Sequence, residues 1–440
     1  MKPLRYIILC LLTMTCVAMC AQVSISGTQV VNVKPEASTG LQNIYVLENS
    51  DGAYIEYKTS SNSIAWQRFS NLGGGFAEDC SAVEHVGDIF RIKAEKSDMG
   101  YIITDGSKQT CFWVFNYSNQ PYAISAIAPQ ESDCDRVWLS VVGSAPEMVY
   151  HTINGRREVL SRDIELKFNN LQFDSELMEY VQTEQIVNLE SALETVSVSS
   201  PLCDTQFTIC PDRFAREFGV GHESVSSTFQ TKAVQAQTTA VQTVRESSNE
   251  QKVETENLGG SAPCEIAFKA AISDAAIFHR WEIASTPDFI DVYNSYDDLD
   301  FTYTFTDAGT VYVRFLANNA EGTCEFIGET YTVTIGESRL DCPNAFSPGT
   351  SEGVNDEWKV SYRSIISFQC DIFNRWGKKL ASFSDPSQGW DGKVGGKVVP
   401  SGVYFYVIQA KGADGKEYKL AGDINVISSR KGAMMNQEVD

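Results

Sequence analysis

The residues able to do chemistry are few and scattered. Four histidines, His85, His151, His222 and His279, stand among 440 residues, and none belongs to an HExxH pair. His279 lies in Ile277-Phe278-His279-Arg280-Trp281, where a strand sets it beside aromatics, and His151 lies in a hairpin strand. Both read as structural. No GxSxG elbow occurs, since Gly221-His222-Glu223-Ser224 has neither the spacing nor the closing glycine. A thiol nucleophile needs a neighbouring base. Cys210 and His222 are the nearest such pair, and Cys203 competes for Cys210 as a disulfide partner. The densest acidic runs, Asp133-Cys134-Asp135 and Asp297-Asp298-Leu299-Asp300, lack the spaced carboxylates, glycine and distal Glu of a calcium loop. The expectation is a protein with no catalytic residues, no cofactor and no metal, and a hydrolase on an unmarked sandwich is the weakest alternative.

The N-terminus supplies a compartment. Lys2 and Arg5 precede the apolar run Tyr6–Leu12, which ends near Met19-Cys20-Ala21-Gln22. This is the pattern of a secretory signal peptide over 1–21, with Gln22 as the new N-terminus. The rival is a lipoprotein signal acylated at Cys20. No later apolar run is long enough to span a membrane, so no transmembrane segment is expected. Asp and Glu outnumber Lys and Arg by 57 to 35, a net charge of −22. Such a surface argues against nucleic acid as a partner, because phosphate binding needs cations.

The mature chain keeps Cys80, Cys111, Cys134, Cys203, Cys210, Cys264, Cys324, Cys342 and Cys370. The number is odd, so at least one thiol stays free. An exported protein favours disulfides, and the sequence offers Cys264 with Cys324 and Cys203 with Cys210. The chain-entropy model gives the longer loop about 4 kcal/mol and the shorter about 2.5 kcal/mol. No CxxC pair supports zinc.

The elements are short strands closed by turn residues. Ile44–Leu47, the turn Asn49–Gly52 and the returning strand Ala53–Lys58 open a first β domain over 22–120. There Tyr101–Ile103 and Cys111–Tyr117 flank Asp105-Gly106 as a hairpin, and Phe112, Trp113 and Phe115 form a core aromatic cluster. A second β domain over 121–245 contains a hairpin turning at Asn154-Gly155, the alternating strand Ile164–Phe168, a helical turn at Asp212–Phe218 and an edge strand within Ala233–Val244. Residues 246–262 are polar and end in Gly-Gly-Ser, the composition of a flexible linker spanning on the order of 23 Å. Residues 263–336 hold five or more strands at regular spacing. Val403, Phe405 and Val407 alternate with Tyr404, Tyr406 and Ile408, so both faces of that strand are apolar and it reads as central. Asp414-Gly415 then makes a hairpin to Tyr418–Leu420. The fold class expected is all-β, a tandem of antiparallel immunoglobulin-like β-sandwich domains.

The stretch from Cys342 to Ile427 carries six ordered motifs. They are NAFSP (Asn344, Phe346), GVND (Gly353, Asn355, Asp356), IFNRWG (Asn374, Arg375, Trp376, Gly377), GWDG (Trp390, Asp391, Gly392), PSGVYFY (Gly402, Tyr404) and GDIN. In order and spacing they resemble the type B C-terminal sorting domain, also called the gliding-motility-associated C-terminal domain, of proteins exported by the type IX secretion system of Bacteroidetes. The resemblance covers 340–430 and implies an address read by secretion machinery. The stretch around Thr302–Phe326 resembles a PKD-like immunoglobulin-type domain, which implies a spacer or binding module. Two departures stand out: SPGTSEGVND lengthens its loop and loses an Asp, and a tail over 431–440 follows the usual end. At least one of Trp376 and Trp390 is expected in the core.

The combined expectation is a non-enzymatic protein, extracellular or on the outer-membrane surface. Its partners are the type IX machinery and an unidentified protein or glycan ligand. An envelope-retained accessory of secretion or gliding motility is the alternative.

Overall fold

The computed structural model describes residues 22–189, 192–251, 257–350 and 353–427. The signal segment 1–21 and the tail 431–440 lie outside the described residues. Strands dominate. The one α-helix among the described residues is Arg213–Phe218, capped by Asp212, whose carboxylate accepts from Ala215 N–H at 2.7 Å.

The first two sheets form a sandwich. One orders Gln22–Ser26, Tyr54–Lys58, Ile89–Lys93 and Glu84–Val86. The other orders Val30–Val33, Asn43–Leu47, Lys108–Asn116, Met99–Asp105, Ala65–Phe69 and Glu78–Asp79. Asn43–Leu47 and Tyr54–Lys58 therefore sit in different sheets rather than side by side as the sequence suggests. Leu47 and Ile55 meet across the same core, so the intervening turn is a corner between sheets.

Lys108–Asn116 is buried on both faces. Phe112 and Val114 enter the core shared with Ile55 and Tyr57. Trp113 and Phe115 enter a second core with Tyr150, Ile164, Phe207 and Phe214. The aromatic cluster is core, as expected, with Phe112, Trp113 and Phe115 each at most 2% exposed. Each such side chain contributes roughly 1.5–3 kcal/mol by burial, and here the gain joins two units that the sequence divided at residue 120.

The second unit packs Ala123–Ser132, Arg136–Ala145 and Ala192–Ser199 against Glu179–Leu189, Ile164–Asp174, Thr208–Ile209 and Ser224–Val225. The hairpin Met148–His151 with Arg157–Leu160 turns where Asn154-Gly155 placed it. Ala236–Gln242 is an edge strand, but it pairs with Cys264–Ile272 and so belongs to the third unit.

That third unit pairs a sheet of Ala236–Gln242, Cys264–Ile272 and Phe301–Phe305 with a larger one built on Tyr331–Ile335, Gly309–Asn318, Phe278–Ala284 and Val292–Tyr296. The described part of the expected linker is structured. Leu258–Gly260 runs parallel to Tyr331–Ile335, and Asn249 reaches the carbonyls of Val360 and Pro386 at 2.7 and 2.8 Å. The glycines that look like spacer residues serve close packing. A Cβ on Gly259 would lie 2.2 Å from the Thr334 carbonyl oxygen, at φ +113°.

The disulfide expectation is corrected. Cys324 is bonded to Cys134, 190 positions away, with Cα atoms 5.5 Å apart, and Cys203, Cys210 and Cys264 are free thiols. Cys264 lies on the three-stranded sheet, away from the edge that carries Cys324 toward the second unit. Cys203 and Cys210 lie beside different points of the strand Ile164–Asp174: Leu202 N–H meets the Asn170 side-chain oxygen, and Cys210 N–H meets the Glu165 carbonyl. Five residues of strand separate those contacts by about 16 Å, too far for a bridge.

The last unit is a five-stranded sheet ordered Ala345–Phe346, Glu417–Val426, Gly402–Gly412, Ile365–Phe373 and Lys379–Phe383. Gly402–Gly412 lies inside the sheet as its two apolar faces suggested. One face is covered by Trp358, Val360, Tyr362 and Trp390. The other, carrying Val403, Phe405 and Val407, remains 42–47% exposed. Ala345–Phe346 pairs parallel with Asn425 and Val426, while the remaining ladders of this sheet are antiparallel. The unit is fused to its predecessor: Ala308 N–H bonds the Ala413 carbonyl at 3.0 Å, and Ser364 N–H bonds Ser261 Oγ at 2.8 Å.

Candidate functional site

The terminal motifs converge on two structures at one end of the sheet. The first is an internal plug. Phe346 and Trp390 are each 3% exposed, with ring centroids 5.5 Å apart, and Tyr404 meets Trp390 edge-on at 5.4 Å. Trp390 and Trp358 exchange backbone bonds of 2.9 and 3.0 Å. Gly392 is required where it stands: it has φ +71°, and a Cβ there would lie 2.9 Å from Pro348. Asp391 caps this turn by accepting from Lys393 N–H at 2.9 Å.

The second is an exposed knob. Ile365–Phe373 ends at Asn374, whose side-chain oxygen accepts from the N–H of Trp376 and of Lys378, each at 3.0 Å. Gly377 completes the turn at φ +78°. The Asx bonds and this glycine force Trp376 outward, where it is 79% exposed. The Arg375 guanidinium lies 5.1 Å from its ring centroid. Beside it opens a cavity of about 260 Å³ lined by Leu380, Val399, Pro400, Gly402 and Tyr404. Tyr404 donates its hydroxyl to the Pro400 carbonyl at 2.9 Å, which fixes that wall.

The knob is basic within an acidic chain. Lys379 pairs with Asp371 at 2.9 Å and Lys393 with Asp391 at 3.1 Å. Arg375, Lys378 and Lys397 have no carboxylate partner among the described residues. An exposed aromatic flanked by unpaired cations has the chemistry of a protein-docking anchor.

Gly353, Asn355 and Asp356 lie outside the knob. Asp356 accepts from Gly349 N–H at 3.0 Å and from Gly353 N–H at 2.6 Å, and Ser347 N–H bonds the Asn355 carbonyl. This carboxylate braces its own loop. Asn344 lends its carbonyl to Asn425 and serves the sheet edge. Sequence reasoning missed Leu380, Val399, Pro400 and Lys378 as parts of one surface. Their signal was proximity to a strand end, which appears only once the register is known.

The Cys210 thiol, which the sequence left open as a nucleophile, sits in surroundings that oppose that role. Burial, above all, pushes the Cys210 thiol up, and the neighbouring Glu223 carboxylate at 3.6 Å adds to this. An attacking thiolate needs the opposite environment. Among the described residues no group of three His, Cys, Asp or Glu side chains could hold a metal ion, and no helix is long and apolar enough to cross a membrane.

Comparison with known proteins adds the following. Residues 340–424 match the CHU_C type IX secretion signal domain, and residues 126–227 match a fibronectin type III domain. No curated protein matches the chain. Among solved structures, the chain is similar to a tetra-tandem repeat in the extending region of a large adhesion protein, at 10% identity over 87% of this chain and 97% of that one, with a TM-score of 0.21. It is also similar to dimeric latent PorU from Porphyromonas gingivalis, at 12% identity over 73% of this chain and 35% of that one, TM-score 0.16. A further similarity is to three N-terminal domains of the bacteriophage RB49 highly immunogenic outer capsid protein, at 9% identity, 70% and 100% coverage, TM-score 0.22. Superpositions of this quality say nothing about activity. The family matches bear on destination: the chain carries a type IX secretion signal domain over residues 340–424, which implies export to the cell surface or the extracellular space, and a fibronectin type III domain over residues 126–227.

Proposed function

We propose that this is a non-enzymatic, modular surface protein of a Bacteroidetes bacterium. Its signal peptide takes it across the inner membrane, and type IX machinery takes it across the outer membrane by gripping the Arg375–Trp376 knob. The sandwich units before it then act in binding or adhesion. The observation that carries this reading is the contrast among tryptophans. Trp66, Trp113, Trp281, Trp358 and Trp390 are at most 3% exposed and Trp138 is half-buried, whereas Trp376 is 79% exposed inside a matched secretion signal domain. Leaving an indole in water forgoes its burial energy, and a partner that covers it would recover that energy.

The test is fractionation of tagged full-length protein from cells with and without a working type IX system. Wild type is expected outside the cell only when the system works. The double variant Arg375→Glu, Trp376→Ala is expected to stay folded but accumulate in the periplasm. Normal release of that variant would remove the knob from the recognition step, and release without the system would sink the export route altogether.

A further inference from the structure

We propose that the cleft between the fibronectin type III unit and the third unit binds a neutral oligosaccharide. This deepens the binding role assigned above to the sandwich units and names its ligand class. The cleft is a half-open space of about 590 Å³, walled on one side by residues 170–173 and 180 and on the other by residues 233–237 and 324–327. Ligand sites of this size favour seams between units.

Its lining has the chemistry of sugar recognition. Phe173 and Tyr180 lie directly opposite in their ladder with centroids 5.7 Å apart, and both are half-buried. Phe326 comes from the opposite wall. Half-buried aromatics offer a π-face to the C–H edge of a pyranose ring, and Tyr180 adds a polar tip. Gln172 and Gln237 are exposed in the same cleft. An amide presents both a donor and an acceptor, which suits hydroxyls that do both.

The charge of the lining also bears on the ligand. The charged side chains of the lining are Asp135 and Glu325, with no Lys, Arg or His. That field repels sulfated, phosphorylated or sialylated glycans and tolerates neutral ones. The Cys134–Cys324 bond joins the two walls within the cleft. The site is therefore formed before the ligand arrives, which removes the cost of ordering two domains on binding.

The experiment is calorimetric titration of the purified chain from residue 22 onward with neutral tetrasaccharides: β-1,4-glucose, α-1,4-glucose, α-1,6-mannose and β-1,4-N-acetylglucosamine. Sialylated and sulfated tetrasaccharides are the anionic controls. At least one neutral tetrasaccharide is expected to bind, weakened at least tenfold by Tyr180→Ala and by Phe326→Ala and unaffected by Trp376→Ala. Gln237→Ala, at an exposed position, carries the same expectation should either aromatic variant fail to fold. The proposal is overturned if no neutral tetrasaccharide binds at millimolar concentration, if binding survives these substitutions, or if an anionic control binds as tightly. Each of these outcomes leaves the export reading untouched, because export is read by fractionation of cells.

Discussion

Arg162 and Asp212 form an ion pair in which both side chains are fully withdrawn from solvent. Arg162 Nε donates to Asp212 Oδ2 at 2.6 Å, and its Nη1 donates to the carbonyls of Gln120 and Pro146 at 2.8 and 2.6 Å. Asp212 also accepts the Tyr117 hydroxyl at 3.0 Å and caps the helix at Ala215. One pair thus ties the end of the first sandwich to the hairpin and helix of the second. Removing one partner leaves the other charge buried and alone, at a cost of about 3–5 kcal/mol. Asp212→Ala is expected to lower stability by that amount, and chemical denaturation should show the first two units unfolding in a single transition. Two separated transitions in the wild type would refute the shared core.

The Cys134–Cys324 bond closes a loop of 190 positions. The chain-entropy model gives such a loop about 5 kcal/mol as an upper estimate. Cys134→Ser is expected to lower the denaturation midpoint and to open the seam to proteases. In the intact protein, by contrast, chymotrypsin is expected to cut first after Phe76, which is 94% exposed beside Gly73-Gly74-Gly75. In a parallel digest with the unspecific proteinase K, a first cut at residues 246–251 would mean that the Asn249 contacts do not hold in solution.

Knob and plug should separate cleanly by mutation. Trp376→Ala is expected to change stability by no more than about 0.5 kcal/mol, as exposed positions do, while blocking secretion. Gly392→Ala meets both positive φ and the Pro348 ring, and is expected to cost about 1–3 kcal/mol. Thermal melts of the two variants beside secretion assays check both statements. A large loss of stability in Trp376→Ala would make the knob a structural feature.

Burial, first, and then the neighbouring Cys342 and Asp371, push the Cys370 thiol up to about 12. An unfolded thiol titrates near ~8.5. The folded state therefore favours the protonated form. That contribution is complete below the unfolded value and is lost as pH rises through about 12. Iodoacetamide at pH ~8 is expected to leave Cys370 unlabelled until denaturant is added, as peptide mass mapping would show. Labelling in the native protein would mean that the sheet opens there.

Much of the fold was legible because turn dipeptides and alternation are local. Asp105-Gly106, Asn154-Gly155 and Asp414-Gly415 each sit at the turn of a real hairpin, and Asp212 begins the helix. What failed was non-local. The pairing of Cys134 with Cys324 depends on how two units dock, which spacing cannot encode. Gly259 and Gly260 look like a spacer because composition cannot distinguish a glycine kept for freedom from one kept for close approach. The exposure of Trp376 against the burial of Trp390 depends on which way each turn points. The two sites differ in the same respect: the secretion motifs lie within one stretch of about ninety residues, whereas Tyr180 and Phe326 line one cleft from opposite sides of the seam.

The parallel pairing of Ala345–Phe346 with the end of Glu417–Val426 has a mechanical consequence. Asn425 N–H bonds the Asn344 carbonyl and Ile427 N–H bonds the Phe346 carbonyl, at 2.9 and 3.0 Å. Tension applied across the unit, from residue 343 to residue 427, shears these bonds together, whereas a hairpin pulled at its open end unzips bond by bond. A single-molecule pull is expected to rupture this unit at higher force than the Met148–Leu160 hairpin. The sheet whose strand Ile365–Phe373 leads into the knob thus also holds, at its opposite side, a clamp against tension along the chain.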